Sequence, residues 1–221
     1  MKMLNRERFL ENKYNRLMIA LILIIVSFPF LQAIETKFPF ITMVLLIAII
    51  PALGMVLPLR AFLPLAAIGF IAFIIEILIR YRVLNVTERI LLFVLGLYAV
   101  FLLLAITILI KKIMTSKVVT SDTIKGGVSI YFLIGLLWMI FYMIMAEVNP
   151  EAFSNISDKV DCFYYSITTL TTLGYGDITP KSSYAKLLST SEAFVGQVYI
   201  AILIAQLVGM KIAQKLQEKQ D

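Results

Sequence analysis

The feature that most constrains the fold of this chain is a series of long apolar runs. Each run holds about 18 or more residues, which is enough for a helix to cross a hydrocarbon core of about 30 Å. The runs lie near 17–34, 40–57, 62–79, 90–110, 126–146 and 187–210. Hydrophobic residues make up 61% of the 221, more than the roughly half that soluble domains contain. The sequence therefore predicts an all-α membrane protein with six transmembrane helices.

The distribution of Lys and Arg predicts the orientation of these helices. With both termini in the cytoplasm, most of the 20 basic residues lie on the cytoplasmic side. Arg80, Arg82 and Arg89 lie in one loop on the other side and oppose this assignment. A cleaved signal peptide is disfavoured because no small-residue cleavage site follows the first apolar run. We predict a multi-pass protein of the cell membrane with cytoplasmic termini.

Several kinds of chemistry are disfavoured by composition. Cys162 is the single cysteine and the chain has no histidine, so the sequence offers neither an internal disulfide nor the commonest metal ligand. No combination of nucleophile, base and orienting group suggests an enzyme. The basic residues are dispersed among acidic ones and are not interleaved with aromatics, which argues against nucleic-acid binding.

A polar, basic connector, "KKIMTSKVVTSDTIKGG", divides the chain into two modules. The first contains four of the predicted helices, and the second contains a helix, a short polar stretch and the last helix. The predicted segments are a cytoplasmic N-terminal segment 1–16, a four-helix transmembrane module 17–112, a cytoplasmic connector 113–125, a second module 126–210 and a short cytoplasmic tail 211–221.

The second module contains a helix that is too short to span a bilayer. "CFYYSITTLTT", at 162–172, reads as a short amphipathic helix, so it must enter the membrane between the fifth and sixth helices and turn back. Non-helical backbone at that depth is tolerated only where it is buried in protein or lines a wet cavity. The following "LGYGD", at 173–177, is therefore predicted to line a path.

The glycines of this stretch suit the passage of a dehydrated cation. Stacked rings of backbone carbonyls can replace the water shell of such an ion. Carbonyls that face one side require some residues at positive φ, which Gly adopts at little cost. Gly174 and Gly176 alternate with Leu173 and Tyr175, whose side chains would point outward into the scaffold. The short helix also directs its partially negative C-terminal end at the place where a cation would wait.

The polar residues that flank the glycines extend this interpretation. Thr172 would add a hydroxyl oxygen at the inner end of the path, and Asp177 would brace the outer mouth through hydrogen bonds. Three further hydroxyl residues lie where the short helix ends and the path begins: Thr168, Thr169 and Thr171.

At 172–177, "TLGYGD" resembles the signature of the potassium channel family, and the preceding "FYYSITTLT" resembles its pore helix. The resemblance implies a selectivity filter that binds potassium ions in single file at the carbonyls of Thr172, Leu173, Gly174 and Tyr175. It implies a homotetramer in contact with membrane lipid, because four such walls are needed to surround an ion. The permeant potassium ions are the bound species expected, with no cofactor. The family usually has Val or Ile where this chain has Leu173.

The function that the resemblance implies is passive, potassium-selective conduction. A voltage sensor needs several charges within the membrane, and the fourth helix has basic residues only at its ends, so voltage gating is not expected. The alternatives are a potassium transporter, which typically has four degenerate filter repeats in one chain, a non-conducting or regulatory channel subunit, and a less selective cation channel. The departure at Leu173 is the reason for the last two.

Other positions have two interpretations each. Tyr164 and Tyr165 lie where the family often has aromatics that form a cuff around the filter, or they are ordinary packing residues. Gly196 is either the hinge that inner helices of the family carry or a point of close helix contact. One face of the last helix either lines an inner cavity with a hydrophobic gate or faces lipid; it consists of Ile200, Ile204 and Val208.

Charged residues inside apolar helices are the remaining candidates. Glu192 is a functional candidate because a carboxylate in the membrane is costly unless paired or wet, or it is hydrogen-bonded behind the filter near the outer end. Glu76 and Arg80 are four residues apart and form either a degenerate sensor or a structural ion pair.

Overall fold

The computed structural model describes residues 13–33, 40–54, 57–83, 87–116 and 119–217. Within these ranges the chain forms helices and one isolated β-bridge, between Phe153 and Pro180, so the predicted all-α class is confirmed for the described residues. The helices are α1 Lys13–Ala33, α2 Phe40–Gly54, α3 Leu59–Arg80, α4 Glu88–Met114, α5 Ser121–Val148, α6 Lys159–Leu170 and α7 Ser183–Gln217.

Four of the described helices, α3, α4, α5 and α7, are long and apolar enough to cross a membrane. The chain is therefore a multi-pass membrane protein. The apolar stretch described in α1 is shorter, Tyr14–Val26, and α2 has 15 residues, which extend about 22 Å against a hydrocarbon core of about 30 Å. Six crossings therefore remain a prediction.

Helix α5 is the centre of the fold, since α1, α4, α6 and α7 all pack against it. Its start is fixed by a capping box, in which Thr120 Oγ1 accepts from Thr123 N at 3.2 Å and Thr123 Oγ1 accepts from Thr120 N at 3.3 Å. The helix consequently begins at Ser121, before the predicted Gly126, and the first turn of α5 occupies the end of the predicted connector.

The short helix α6 lies between α5 and α7 and packs against both. It has 12 residues, or about 18 Å of length. Asp158 caps its N-terminus by accepting from Val160 N at 2.7 Å and Asp161 N at 3.0 Å. Helix α7 continues to Gln217, past the Met210 predicted from the apolar run, because "KIAQKLQ" keeps helix-forming residues after the apolar pattern ends.

Candidate functional site

The segment after α6, 172–177, has an alternating backbone conformation. Thr172, Gly174 and Gly176 have φ of +60°, +50° and +84°, whereas Leu173 and Tyr175 between them do not have positive φ. Alternation of left-handed and right-handed residues turns successive carbonyl groups toward one side of the chain. The sequence led us to expect positive φ at the two glycines. It did not indicate Thr172, where a residue with a Cβ adopts this conformation at a cost of roughly 1–2 kcal/mol.

Backbone N–H groups of this segment are held by the end of α6. Leu173 N donates to Thr168 O at 2.8 Å and Gly174 N donates to the same oxygen at 3.2 Å, while Thr172 N donates to Thr169 O at 3.0 Å. Among the described residues, no hydrogen bond is directed to the carbonyl oxygens of 172–175. These carbonyl oxygens are therefore available to bind another partner. A backbone carbonyl that is withdrawn from water needs such a partner.

The side chains between the glycines are not covered by their own chain. Leu173 is 55% exposed and Tyr175 is 70% exposed. This differs from the expectation that both point into a scaffold, because the described part of the chain supplies none on that side. An apolar and aromatic surface is thus left open beside the path.

At the outer end of the segment, Tyr164 and Asp177 contact each other. The Tyr164 hydroxyl donates to Asp177 Oδ2 at 2.7 Å. This hydrogen bond is the main cause that lowers the pKa of Asp177 below its ordinary value of 3.8 and raises the pKa of Tyr164 from 10.0 to about 12. Asp177 is thus hydrogen-bonded to α6, and its role in bracing an outer mouth stays a prediction.

Tyr165, the next residue, faces the protein core. It is buried, lies against the rings of Tyr142 and Phe153 with centroid distances of 4.9 and 5.4 Å, and donates to Ser189 Oγ at 2.8 Å. The two tyrosines thus have different surroundings, and an aromatic cuff around the filter stays a prediction. Tyr164 contacts the outer end of 172–177, and Tyr165 packs between helices.

Tyr164→Phe is expected to change the pH dependence of stability at the outer mouth. A lowered pKa at Asp177 contributes stability that is present above pH 3.8 and is lost as the pH falls below it. A raised pKa at Tyr164 contributes stability that is present below pH 10.0 and is lost as the pH rises toward about 12. The difference in thermal stability between the wild type and Tyr164→Phe should therefore be greatest between these limits and vanish outside them.

The matched control for this measurement is Tyr184→Phe, which removes the hydroxyl of an exposed tyrosine at the start of α7. Its difference from the wild type should not follow the same pH profile. A difference for Tyr164→Phe that is constant from acid to alkaline pH would contradict the assignment.

The loop before α6 is hydrogen-bonded to the chain after residues 172–176. Ser154 N donates to Thr179 O and Ser154 Oγ lies beside Thr179 Oγ1, both at 2.8 Å. Asn155 Nδ2 donates to Asp177 O, also at 2.8 Å. We call the contacts of 154–155 with 177–179 the outer bracket. No pattern in the sequence predicts it, because residues separated by more than 20 positions in two loops have no periodicity that links them.

Glu192 lies on α7 and is fully buried. Its Oε1 is 2.5 Å from Ser166 Oγ on α6 and its Oε2 is 2.5 Å from the Tyr142 hydroxyl on α5. This is the hydrogen-bonded arrangement that the sequence offered as one interpretation of Glu192. Ser166 and Tyr142 were missed; the available signal for Ser166 was a small polar residue among the aromatics of a short helix.

Gly196 forms a close contact between helices. A Cβ at this position would lie 2.8 Å from both Leu170 O and Leu170 Cδ1 at the end of α6, and α7 is helical on both sides of it. In the described structure, Gly196 is therefore a point of close contact with α6, and α7 does not bend sharply or break there. On the face that follows, Ile200 packs partly against the core, while Ile204 and Val208 are 57% and 53% exposed, so the single chain leaves that face open.

Glu76 and Arg80 lie together on α3. They form an ion pair on α3 at 3.2 Å, and Tyr98 on α4 donates to Glu76 Oε2 at 2.7 Å. The Tyr98 contact gives the pair a structural partner on the neighbouring helix.

Comparison with known proteins identifies the part of the chain that contains the site. A family model described as "Ion channel" matches residues 118–211. This range includes α5, α6, residues 172–177 and most of α7. No solved structure matches the chain significantly.

The curated relatives that match are potassium channels. They include Two pore potassium channel a of Oryza sativa subsp. japonica, 34% identical over 92 residues, which are 42% of this chain and 24% of the relative. Two-pore potassium channel 1 of Arabidopsis thaliana is 34% identical over 93 residues, 42% of this chain and 23% of the relative. Potassium voltage-gated channel subfamily KQT member 4 of Homo sapiens is 36% identical over 87 residues, 39% of this chain and 12% of the relative.

The chain thus spans about a quarter or less of the length of these relatives. The similarity concerns the segment that carries the alternating backbone, its supporting helix and the two long helices beside it. The similarity to an ion channel family model and to parts of potassium channels is therefore confined to residues 118–211 and their neighbours.

Proposed function

We propose that this chain is the subunit of a homotetrameric, potassium-selective channel that conducts passively and is not voltage-gated by an arginine-bearing helix. Residues 172–177 are the selectivity filter, α6 is a reentrant pore helix and α7 is the inner helix. The observation that carries the proposal is the alternation of φ at Thr172, Gly174 and Gly176. It turns a row of unbonded carbonyls to one side, which is the arrangement that replaces the water around a cation.

The ion-binding positions in this proposal are the carbonyl oxygens of 172–175. Carbonyl oxygens carry only a partial negative charge. They therefore bind a cation strongly enough for it to enter and weakly enough for it to leave. The C-terminal end of α6 adds its own partial negative charge at the inner side. Leu173 keeps its carbonyl in this row, so the departure from Val or Ile concerns the packing of the side chain.

The tetramer is supported by the surfaces that one chain leaves open. Leu173 and Tyr175 are exposed beside the filter, and a filter with one wall cannot surround an ion. The inner helix also presents exposed apolar side chains along its length, among them Leu187, Phe194, Val198, Ile202, Ile204 and Val208. Closed rotational symmetry would place the same surface of four copies around one axis, with Ile204 and Val208 toward an inner cavity.

The topology of the proposal has six crossings, with both termini in the cytoplasm of a cell-membrane protein. Residues 17–112 form the four-helix module, 113–125 the connector and 126–210 the pore domain, between a cytoplasmic N-terminal segment 1–16 and a tail 211–221.

Flux through liposomes tests the proposal. The purified chain, reconstituted in vesicles with a potassium gradient, is expected to release potassium and to discriminate strongly against sodium. Native mass measurement of the same sample should give a tetramer. Empty vesicles provide the control for leakage.

The other outcomes identify the alternatives. A tetramer of correct mass that carries no flux would overturn conduction and favour a non-conducting subunit. Comparable fluxes of potassium and sodium would instead favour a less selective cation channel.

A further inference from the structure

A buried polar cluster joins α5, α6 and α7 behind the filter. Ser166 Oγ lies 2.7 Å from Gly135 O and 2.5 Å from Glu192 Oε1, and the Tyr142 hydroxyl lies 2.5 Å from Glu192 Oε2. Ser166, Tyr142 and Glu192 each have 0% exposure. The cluster therefore has no access to bulk water, and its hydrogen bonds must be made to protein groups.

The number of protons in the cluster determines the state of Glu192. Three oxygen–oxygen contacts require three hydrogens, while the hydroxyls of Ser166 and Tyr142 supply one each and the carbonyl of Gly135 supplies none. The third hydrogen must come from the carboxyl group of Glu192. A neutral carboxyl also avoids the cost of an unpaired charge inside the membrane.

We infer that Glu192 is a protonated positioning residue of the selectivity filter. Its carboxyl donates to Ser166 Oγ and accepts from Tyr142, while Ser166 donates to Gly135 O. Every contact then has a donor and an acceptor. Helix α7 is in this way bonded to both α6 and α5 through one side chain.

The connection from this cluster to the ion path is short. Ser166 lies on α6 two positions before Thr168, whose carbonyl accepts from the N–H groups of both Leu173 and Gly174. A displacement of Ser166 would move this anchor and with it the carbonyls beside the ion. The inference therefore rests on the proposed function of 172–177 as a filter, although the protonation of Glu192 does not.

Four variants test the role in conduction. Glu192→Gln keeps both bonds, since its amide nitrogen donates to Ser166 and its oxygen accepts from Tyr142. Glu192→Leu removes both bonds, and Ser166→Ala removes the link to α6 alone. Glu147→Gln, at the exposed end of α5, is the matched control for the loss of an acidic group.

The readouts are current in planar bilayers and the permeability ratio of rubidium to potassium. Leaving a buried polar group without its partner changes an equilibrium by about tenfold. We therefore expect Glu192→Leu and Ser166→Ala to lose about that much current and to change the permeability ratio of rubidium to potassium. Glu192→Gln and Glu147→Gln should resemble the wild type. Where Glu192→Leu does not assemble, Ser166→Ala decides the filter role.

Infrared spectroscopy tests protonation independently of conduction. The wild type should show the C=O stretching band of a protonated carboxyl, which Glu192→Gln removes and Glu147→Gln retains. Absence of this band, or a Glu192→Gln variant as impaired as Glu192→Leu, would overturn the neutral carboxyl. A wild-type permeability ratio in Ser166→Ala would overturn the positioning role.

Failure of the proposed function gives a different pattern. A wild type without potassium flux but with the infrared band would remove the filter role and leave the protonated cluster intact.

Discussion

Gly176→Ala and Gly174→Ala are expected to abolish potassium conduction while the surrounding helices remain folded. The two glycines have φ of +84° and +50°, and an L residue pays roughly 1–2 kcal/mol in left-handed backbone. With four copies in the proposed tetramer, the cost is about 4–8 kcal/mol for each substitution. Rotation of the peptide relieves this cost and turns a carbonyl away from the ion.

The cost at these two positions comes from the backbone alone, since an added Cβ would have no atom within 4 Å in the single chain. Gly96→Ala is therefore a matched control. Its Cβ also meets nothing within 4 Å, but Gly96 lies inside helix α4, where Ala is favoured by up to about 1 kcal/mol. Gly96→Ala should conduct normally in liposomes. Selective potassium current from Gly174→Ala or Gly176→Ala would contradict the carbonyl mechanism.

Gly196→Ala is expected to prevent formation of a stable tetramer. The new Cβ would lie 2.8 Å from the backbone oxygen of Leu170, and this atom cannot move without the end of the pore helix. The same oxygen accepts from the Tyr131 hydroxyl at 3.0 Å, which holds it in place. Overpacking of this kind costs about 1–3 kcal/mol per chain, or about 4–12 kcal/mol for four chains. Native mass spectrometry and thermal unfolding would measure the loss.

Gly209→Ala is the control for Gly196→Ala on the same helix, because a Cβ at Gly209 meets nothing within 4 Å. It should assemble as the wild type does. The comparison also separates the two interpretations of Gly196. If Gly196→Ala formed a tetramer of wild-type stability and altered only channel opening, the glycine would serve bending and the contact with Leu170 would be unimportant.

Features with a local physical cause were predictable from the sequence. Apolar runs gave the positions of the long helices, since length and hydropathy alone determine which segments can lie in a bilayer. The glycines at 174 and 176 were recognisable because Gly adopts positive φ at little cost. Helix ends were less exact: α5 begins earlier than its apolar run because the capping box of Thr120 and Thr123 is polar.

Features that depend on tertiary contacts were not predictable. Neighbouring residues on a helix point about 100° apart, so Tyr164 and Tyr165 face different surroundings, but the sequence does not indicate which one faces the mouth. The partners of Glu192 lie 26 and 50 positions away on other helices. Thr172 adopts positive φ because the carbonyls of Thr168 and Thr169 accept from the N–H groups of 172–174. The conformational propensity of a single residue does not include such a constraint.

The outer bracket has a consequence for the order of assembly. It closes a loop across 25 positions, from Ser154 to Thr179, and every bond that closes it lies within one chain. Closing such a loop costs conformational entropy, and here that cost belongs to the folding of the monomer. In the proposed tetramer, association of subunits would bring together preshaped quarters of the ion path, and the speed of oligomerisation would not depend on ordering this loop.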